Sequence, residues 1–581
     1  MKLLSLSLLC CLLTCLTGGA ADKKFNYKKV VAPPIAAMPT PKMWKGMGEL
    51  NLSISSSDEK VRDHVKQGFA LLHAQWDVEA YRHFAAALKL DDHCLMAYSG
   101  VVMSLLNPEH EWKKYRSVAI NRMQTLIEHK NADGEFSYPD IERGYAIAVI
   151  TLNTINFRKG VEEFSQLADK YPNDLQLQLL KPFLNRGKYN SFGNADLKQE
   201  RAVKSIKAVL DKNLNNPLAL NFYVMMKIEA PYNAVNQKTE VLPYVDKLLL
   251  ISDEIPSWQT LLGYAAWRTG DLEQAKVSFE NAVRLYEGWR KESKAKNSEC
   301  DGLYRTYAFL AVVYYQLGDK KSLQAVMSKL KGAKYSRRSS PVYGLYEWSY
   351  QLIDAKMLFA ENTVGSIKKG LAALPKIDSK DTGKSAQNKV IKGYQAYGLS
   401  LLSLKQGDKK KAEKMIRELA RVIHELKVLS TKVQKKSYYP HYLISQRTLR
   451  IYHNEVVAML EEKSGAGSLN WYNEAIDLQL GPSRLFAANS LYPMEYKLAR
   501  YYESQEKMEL ARDTYTKAYQ RMPSHPETKK AYETIDYKIG VFYEKKGDLK
   551  KARESYAAAF KKYPRDEKVK AAYDRLMKMI E

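Results

Sequence analysis

Two His-Glu pairs, His110-Glu111 and His424-Glu425, come nearest in residue type to metal-assisted hydrolysis. That chemistry needs two imidazoles one helical turn apart on one face, with the glutamate as general base, so a second histidine must follow the glutamate by three residues. Those positions hold Lys114 and Val428, and both pairs fail. Gly383-Lys384-Ser385 has the residues that close a phosphate-binding loop, but the loop's first glycine would fall at Asp378, and no strand precedes it. There is no Gly-x-Ser-x-Gly elbow to expose a nucleophilic serine, and no Cys-x-x-Cys pair. His64, His73, His83 and His93 recur across one stretch, followed by Cys94. A metal there would draw on His73 and His83, which fall on two paired helices, but helical spacing turns several of these rings outward. The residues point away from an enzyme and imply no metal or cofactor; the rival from that class is an enzyme with an unrecognised site in the divergent middle.

The elements that carry these residues are helices. The clearest unit runs from Asp536 to Pro564, DYKIGVFYEKKGDLKKARESYAAAFKKYP. Ile539, Gly540 and Tyr543 share one face of a first helix, Gly547-Asp548 makes a turn, and Ala552, Tyr556 and Ala559 face back from a second helix that Pro564 ends. Small residues are needed where two helix backbones meet, with a large ring beside them. This spacing is the tetratricopeptide (TPR) pattern, a helix–turn–helix repeat of about 34 residues. One such hairpin cannot bury its apolar face alone, so neighbours are expected. They are found: Gly68, Leu71, Ala80, Phe84 and Ala87; a hairpin ending at Pro172; Leu262-Gly263, Gly270-Asp271, Ala275, Phe279 and Ala282; weaker copies marked by Gly318-Asp319 and Gly407-Asp408; and Leu498, Ala499, Tyr502, Ala511, Tyr515 and Ala518. The last two units are offset by seven extra residues, about two helical turns, which a longer intervening helix accommodates on the same face. No alternating apolar–polar run is long enough for a sheet. The expected fold is all-α, a right-handed α-solenoid of TPR hairpins with irregular helical stretches in the middle.

Export is expected from the N-terminus. One lysine, an apolar run from Leu3 to Leu16, and Gly18-Gly19-Ala20-Ala21 have the layout of a secretory signal peptide cleaved after Ala20 or Ala21. Leu12-Leu13-Thr14-Cys15 offers a rival route, lipidation at Cys15, although threonine before the cysteine fits that motif poorly. The organisation reads as a signal peptide (1–21), a Pro-rich extended leader (22–57), flexible or laid along the first repeats, an N-terminal array (58–334), a divergent helical region (335–464), and a C-terminal pair with a capping helix (465–581). Cys94 and Cys300, the cysteines that remain after cleavage, read as buried apolar residues, because distant residues of a solenoid rarely touch. The 581 residues include 91 Lys and Arg against 65 Asp and Glu, a net charge of +26. That balance favours acidic partners and a soluble surface.

The first hairpin carries a more specific likeness. Gly68-x-x-Leu71-Leu72-x-Ala74, Glu79-Ala80, Phe84-x-x-Ala87 and Cys94-x-Met96-Ala97-Tyr98-x-Gly100 resemble the opening of a group of large exported bacterial TPR proteins, over roughly residues 60–105. Members of that group often carry a His-x-x-x-His pair in a middle repeat. The comparable stretch here, Glu254-Ile255-Pro256-Ser257-Trp258, has neither histidine. The resemblance implies an exported scaffold with no assigned reaction. In a TPR superhelix the first helix of each pair lines the concave groove. By spacing, the inward residues are Lys66, Phe69 and His73 in the first repeat, Tyr264, Trp267 and Arg268 in the middle one, and Tyr496, Lys497 and Arg500 in the penultimate one. This aromatic and cationic mixture suits an extended acidic protein segment or peptide, and no specific nucleic-acid partner is expected.

Overall fold

The computed structural model describes residues 25–105, 112–154, 156–189, 194–228, 230, 236–332, 350–377, 386–434, 439–462, 467–479 and 491–580. The expected signal peptide, Cys15, the His110-Glu111 pair and Gly383-Lys384-Ser385 lie outside them. Helices succeed one another throughout, and no strand forms among the described residues. The fold is an all-α solenoid of paired helices. No described helix is long and apolar enough to cross a membrane.

The hairpins form for the local reasons the sequence carries. In the last one, helices Pro526–Lys545 and Leu549–Lys562 are joined at Gly547, whose φ of +78° favours glycine. The Asp548 carboxylate then accepts the Lys551 amide at 3.1 Å and caps the second helix. Asp271, Asp319 and Asp408 cap in the same way, each accepting an amide three residues on at 3.0 Å. Ala552 and Ala559 are buried between the helices. A Cβ on Gly540 would stand 2.5 Å from the Tyr556 ring, so the backbone approach there needs glycine. The offset goes with a longer helix: Pro526–Lys545 has 20 residues where Met494–Ser504 has 11. The divergent stretches are helical too, 197–212, 217–227 and 242–251 in one, Lys409–Thr431 and Tyr439–Glu461 in the other.

The leader is laid down, not free. Val30, Val31, Ala32, Ile35, Trp44, Met47, Leu50 and Leu52 are all buried. It starts on the first hairpin, where the Tyr81 hydroxyl donates to Val30 O at 2.8 Å and accepts the Ala32 amide at 2.9 Å. It then meets the later hairpins in reverse order. Gly46 packs on Ile251 and Gly48 on Pro217. Asn51 Oδ1 accepts the Leu175 amide at 2.9 Å. Ser53 and Ser55 donate to Glu142 at 3.3 and 3.0 Å.

Sequence-distant hairpins also meet directly, contrary to the expectation that distant residues of a solenoid stay apart. Glu79, fully buried, accepts the indole N–H of Trp289, 210 residues away, at 2.7 Å and that of Trp44 at 3.0 Å, and pairs with Arg82. Asn221 donates to His73 O at 2.7 Å. The N-terminal array therefore closes on itself, with the leader pinned to it. One apolar cluster runs from Val30 to Met357 and takes in Leu491, Tyr492 and Met494 of the C-terminal block. Cys94 and Cys300 are both buried.

Candidate partner-binding site

The penultimate hairpin opens with helix Met494–Ser504. Tyr496 and Arg500 lie one turn apart on it, and Lys497 is adjacent on the same surface. Behind them stands Glu455, on helix Tyr439–Glu461 and fully buried. Its carboxylate accepts the Tyr397 hydroxyl at 2.9 Å and the Tyr492 hydroxyl at 2.8 and 3.0 Å. Lys497 Nζ sits 3.1 Å from Glu455 Oε1 and 4.6 Å over the Tyr492 ring. The charge of Lys497 is thus tied to the core, and a buried carboxylate depends on it.

Arg500 is exposed, and so is Lys405 at the end of helix Ala386–Gln406. No carboxylate of a described residue stands within ion-pair distance of either. Burial holds the Lys405 ammonium below the usual lysine range, the charges of Lys497 and Arg500 press it lower, and only Glu462 opposes them. Three cations from two repeats therefore share one field and repel one another. Glu527 feels the same field: its bond with His525 holds its carboxyl low, and Lys497 and Arg500 add to that. Tyr496 is half-buried, its ring 5.4 Å from His525 and 5.9 Å from Tyr515. The arrangement can accept a carboxylate-bearing segment, with Arg500 as the planar donor.

The other residues expected on the groove divide. Lys66 is half-buried and borders an open groove of about 990 Å³ beside Trp44, Met47 and Lys212. Phe69 is fully buried, edge-on to Phe84 at 5.0 Å and Tyr145 at 5.7 Å. His73 is buried against Gln176, and burial pulls its pKa down to about 4, so the ring is neutral. Tyr264 packs on Phe309, Trp267 donates to Gln316 Oε1 at 2.8 Å, and Arg268 donates to the carbonyls of Ile228 and Ala230. Phe69, His73, Tyr264, Trp267 and Arg268 are thus corrected from groove residues to packing residues. They do face the neighbouring hairpins, but closure of the array fills the space they would have faced.

Lys405 was missed. Its one sequence signal is its place in the last turn of the first helix of a repeat, two residues before Gly407-Asp408. Among so many lysines that position does not stand out. The structure pairs His64 with His83, Nδ1 to Nδ1 at 3.0 Å, and not His73 with His83. Ligand-type atoms of Asp91, Asp92 and His93 lie within 4.8 Å of one another at the partly exposed end of the first hairpin.

Stacked helix hairpins with a cationic, aromatic surface define a helical-repeat scaffold. Tetratricopeptide repeat family models match residues 259–288 and 536–566, the middle and last hairpins. The chain thus carries tetratricopeptide repeats at these two places, a build that fits a protein-interaction scaffold. Comparison with curated proteins finds no match. Among solved structures, a monomeric mutant of IFIT1 with Gppp-AAAA is 13% identical, with 90% of this chain and 96% of that one aligned and a TM-score of 0.35. The human IFIT1 dimer with m7Gppp-AAAA is 12% identical over 92% and 99%, with a TM-score of 0.31. The APC/C hetero-tetramer Cut9-Hcn1 is 11% identical over 89% and 90%, with a TM-score of 0.28. At these scores the likenesses carry nothing about what this chain binds.

Proposed function

We propose that this protein is an exported, non-enzymatic TPR scaffold that docks an acidic protein or peptide on its C-terminal helices. The observation that carries the reading is the field shared by Lys405, Lys497 and Arg500, in which Lys405 and Arg500 are exposed and have no neutralising carboxylate within ion-pair distance. Leader and closure bury most of the residues expected on the N-terminal groove, so the C-terminal block is the better docking surface. The net charge of +26 would speed encounter with an acidic partner and make capture salt-sensitive. Export rests on the apolar run Leu3–Leu16 and the small residues after it. The Leu12–Cys15 motif favours a second form of the same reading, an envelope lipoprotein serving an assembly.

The test is affinity capture from the native envelope by the mature protein and by a Lys405→Glu/Arg500→Glu variant, with partners identified by mass. Acidic partners should be recovered by the first and lost by the second at unchanged thermal stability. Equal recovery by both would remove the C-terminal site. Lys497 is left intact, because reversing it would set two carboxylates together in the core. The mass of the mature N-terminus separates lipid on Cys15 from a free Ala21 or Asp22, and stoichiometric metal in the purified protein would contradict the non-enzymatic reading.

A further inference from the structure

Where the turn of the first hairpin meets the middle hairpin, the array forms a partly open cavity of about 90 Å³. That is well above the roughly 10–15 Å³ needed to hold one water, so there is room for several. Its aromatic walls are fixed before any ligand arrives. The Trp76 ring packs 4.9 Å from Trp44 of the leader and 5.5 Å from Trp289, and the Trp289 N–H is held by Glu79. Polar groups converge on the same space. Asn221 gives its amide N–H to His73 O, so its Oδ1 is the atom it can offer. Asp77, Glu299 and Arg305 line the cavity, two carboxylates and a guanidinium. Ser257 borders it with a buried hydroxyl that has no hydrogen-bond partner.

We propose that this cavity binds a single neutral sugar ring. Carboxylates that accept and a guanidinium that donates, set on one wall, match a hydroxyl, which donates and accepts at once. Aromatic walls suit the apolar C–H faces of a pyranose, and a hexose has about six oxygens to replace the waters the cavity would hold. A concave space with aromatic walls and a few convergent polar groups is the usual form of a small-molecule site. The site lies in the N-terminal array, apart from the proposed docking surface.

The experiment titrates the full-length protein with D-glucose, D-galactose, D-mannose and N-acetyl-D-glucosamine, following tryptophan fluorescence and Tm. At least one sugar should perturb the Trp76 and Trp289 emission and raise Tm. Ser257→Ala removes a hydroxyl that bonds nothing in the free protein, so it should leave Tm unchanged and weaken sugar binding about tenfold. Ser257→Leu should fill the space and abolish binding. Lys405→Glu/Arg500→Glu should bind sugar normally, which separates failure here from failure of the docking surface. No response to any of the four sugars, a response that Ser257→Ala leaves unchanged, or a response to the ammonium probe tetramethylammonium in their place would overturn the proposal.

Discussion

Two buried titratable residues convert the packing into measurable pH dependences. Lys356 is buried, with the Tyr394 ring 5.6 Å away, and burial pulls its pKa down to about 8. Between pH 8 and 10.5 the folded state holds a neutral amine where the unfolded chain holds an ammonium, so stability should rise with pH across that window. Below pH 8 the buried ammonium costs on the order of 3 kcal/mol. Lys356→Met should therefore raise Tm at pH 7 and abolish the rise toward pH 10; a lower Tm would show that the ammonium is stabilised there. Glu142 has the opposite sign. Burial against the leader raises its pKa to about 7, over the pull of the Ser55 and Ser53 hydroxyls. Its contribution is complete below the unfolded value near 4.5 and lost as pH rises through 7. Amide exchange over residues 50–56 should be slower at pH 5 than at pH 8 once intrinsic rates are divided out. Glu142→Gln should remove that difference, and a difference that survives would place the titrating group elsewhere.

At the scale of the element, the hairpins were legible because their determinants are local. A Gly-Asp dipeptide ends one helix and caps the next, and small residues three or four apart let two backbones meet, all within one repeat. The packing of Ala552 is such a case: it is fully buried between Pro526–Lys545 and Leu549–Lys562. Ala552→Phe should destabilise the last hairpin by about 1–3 kcal/mol in thermal or urea unfolding, and unchanged stability would mean the helices do not meet there. The leader was only half legible. Its prolines and glycines exclude a long helix, yet nothing local says that Gly46 will lie on Ile251 or Asn51 on Leu175. Such pairings depend on where the curving stack brings its hairpin ends, which no spacing within a repeat records.

Across the whole molecule, curvature decides which surfaces remain available. Glu79 and Trp289 meet because the N-terminal hairpins turn far enough to touch, and that contact converts Phe69, His73, Tyr264, Trp267 and Arg268 from groove residues into packing. The C-terminal block also reaches back: the space a Cβ on Gly270 would take lies 3.0 Å from Pro523. Helical spacing rightly turned those side chains toward neighbouring hairpins, and it could not show that the neighbours had closed over them. Lys405 and Arg500 stay exposed and cationic, and the most direct measurement is the affinity of the full-length protein for a polyglutamate peptide as a function of salt. The affinity should fall steeply as salt rises, and Lys405→Ala/Arg500→Ala should both weaken binding at low salt and flatten that fall. The same affinity and the same salt dependence in the variant would contradict the C-terminal docking site.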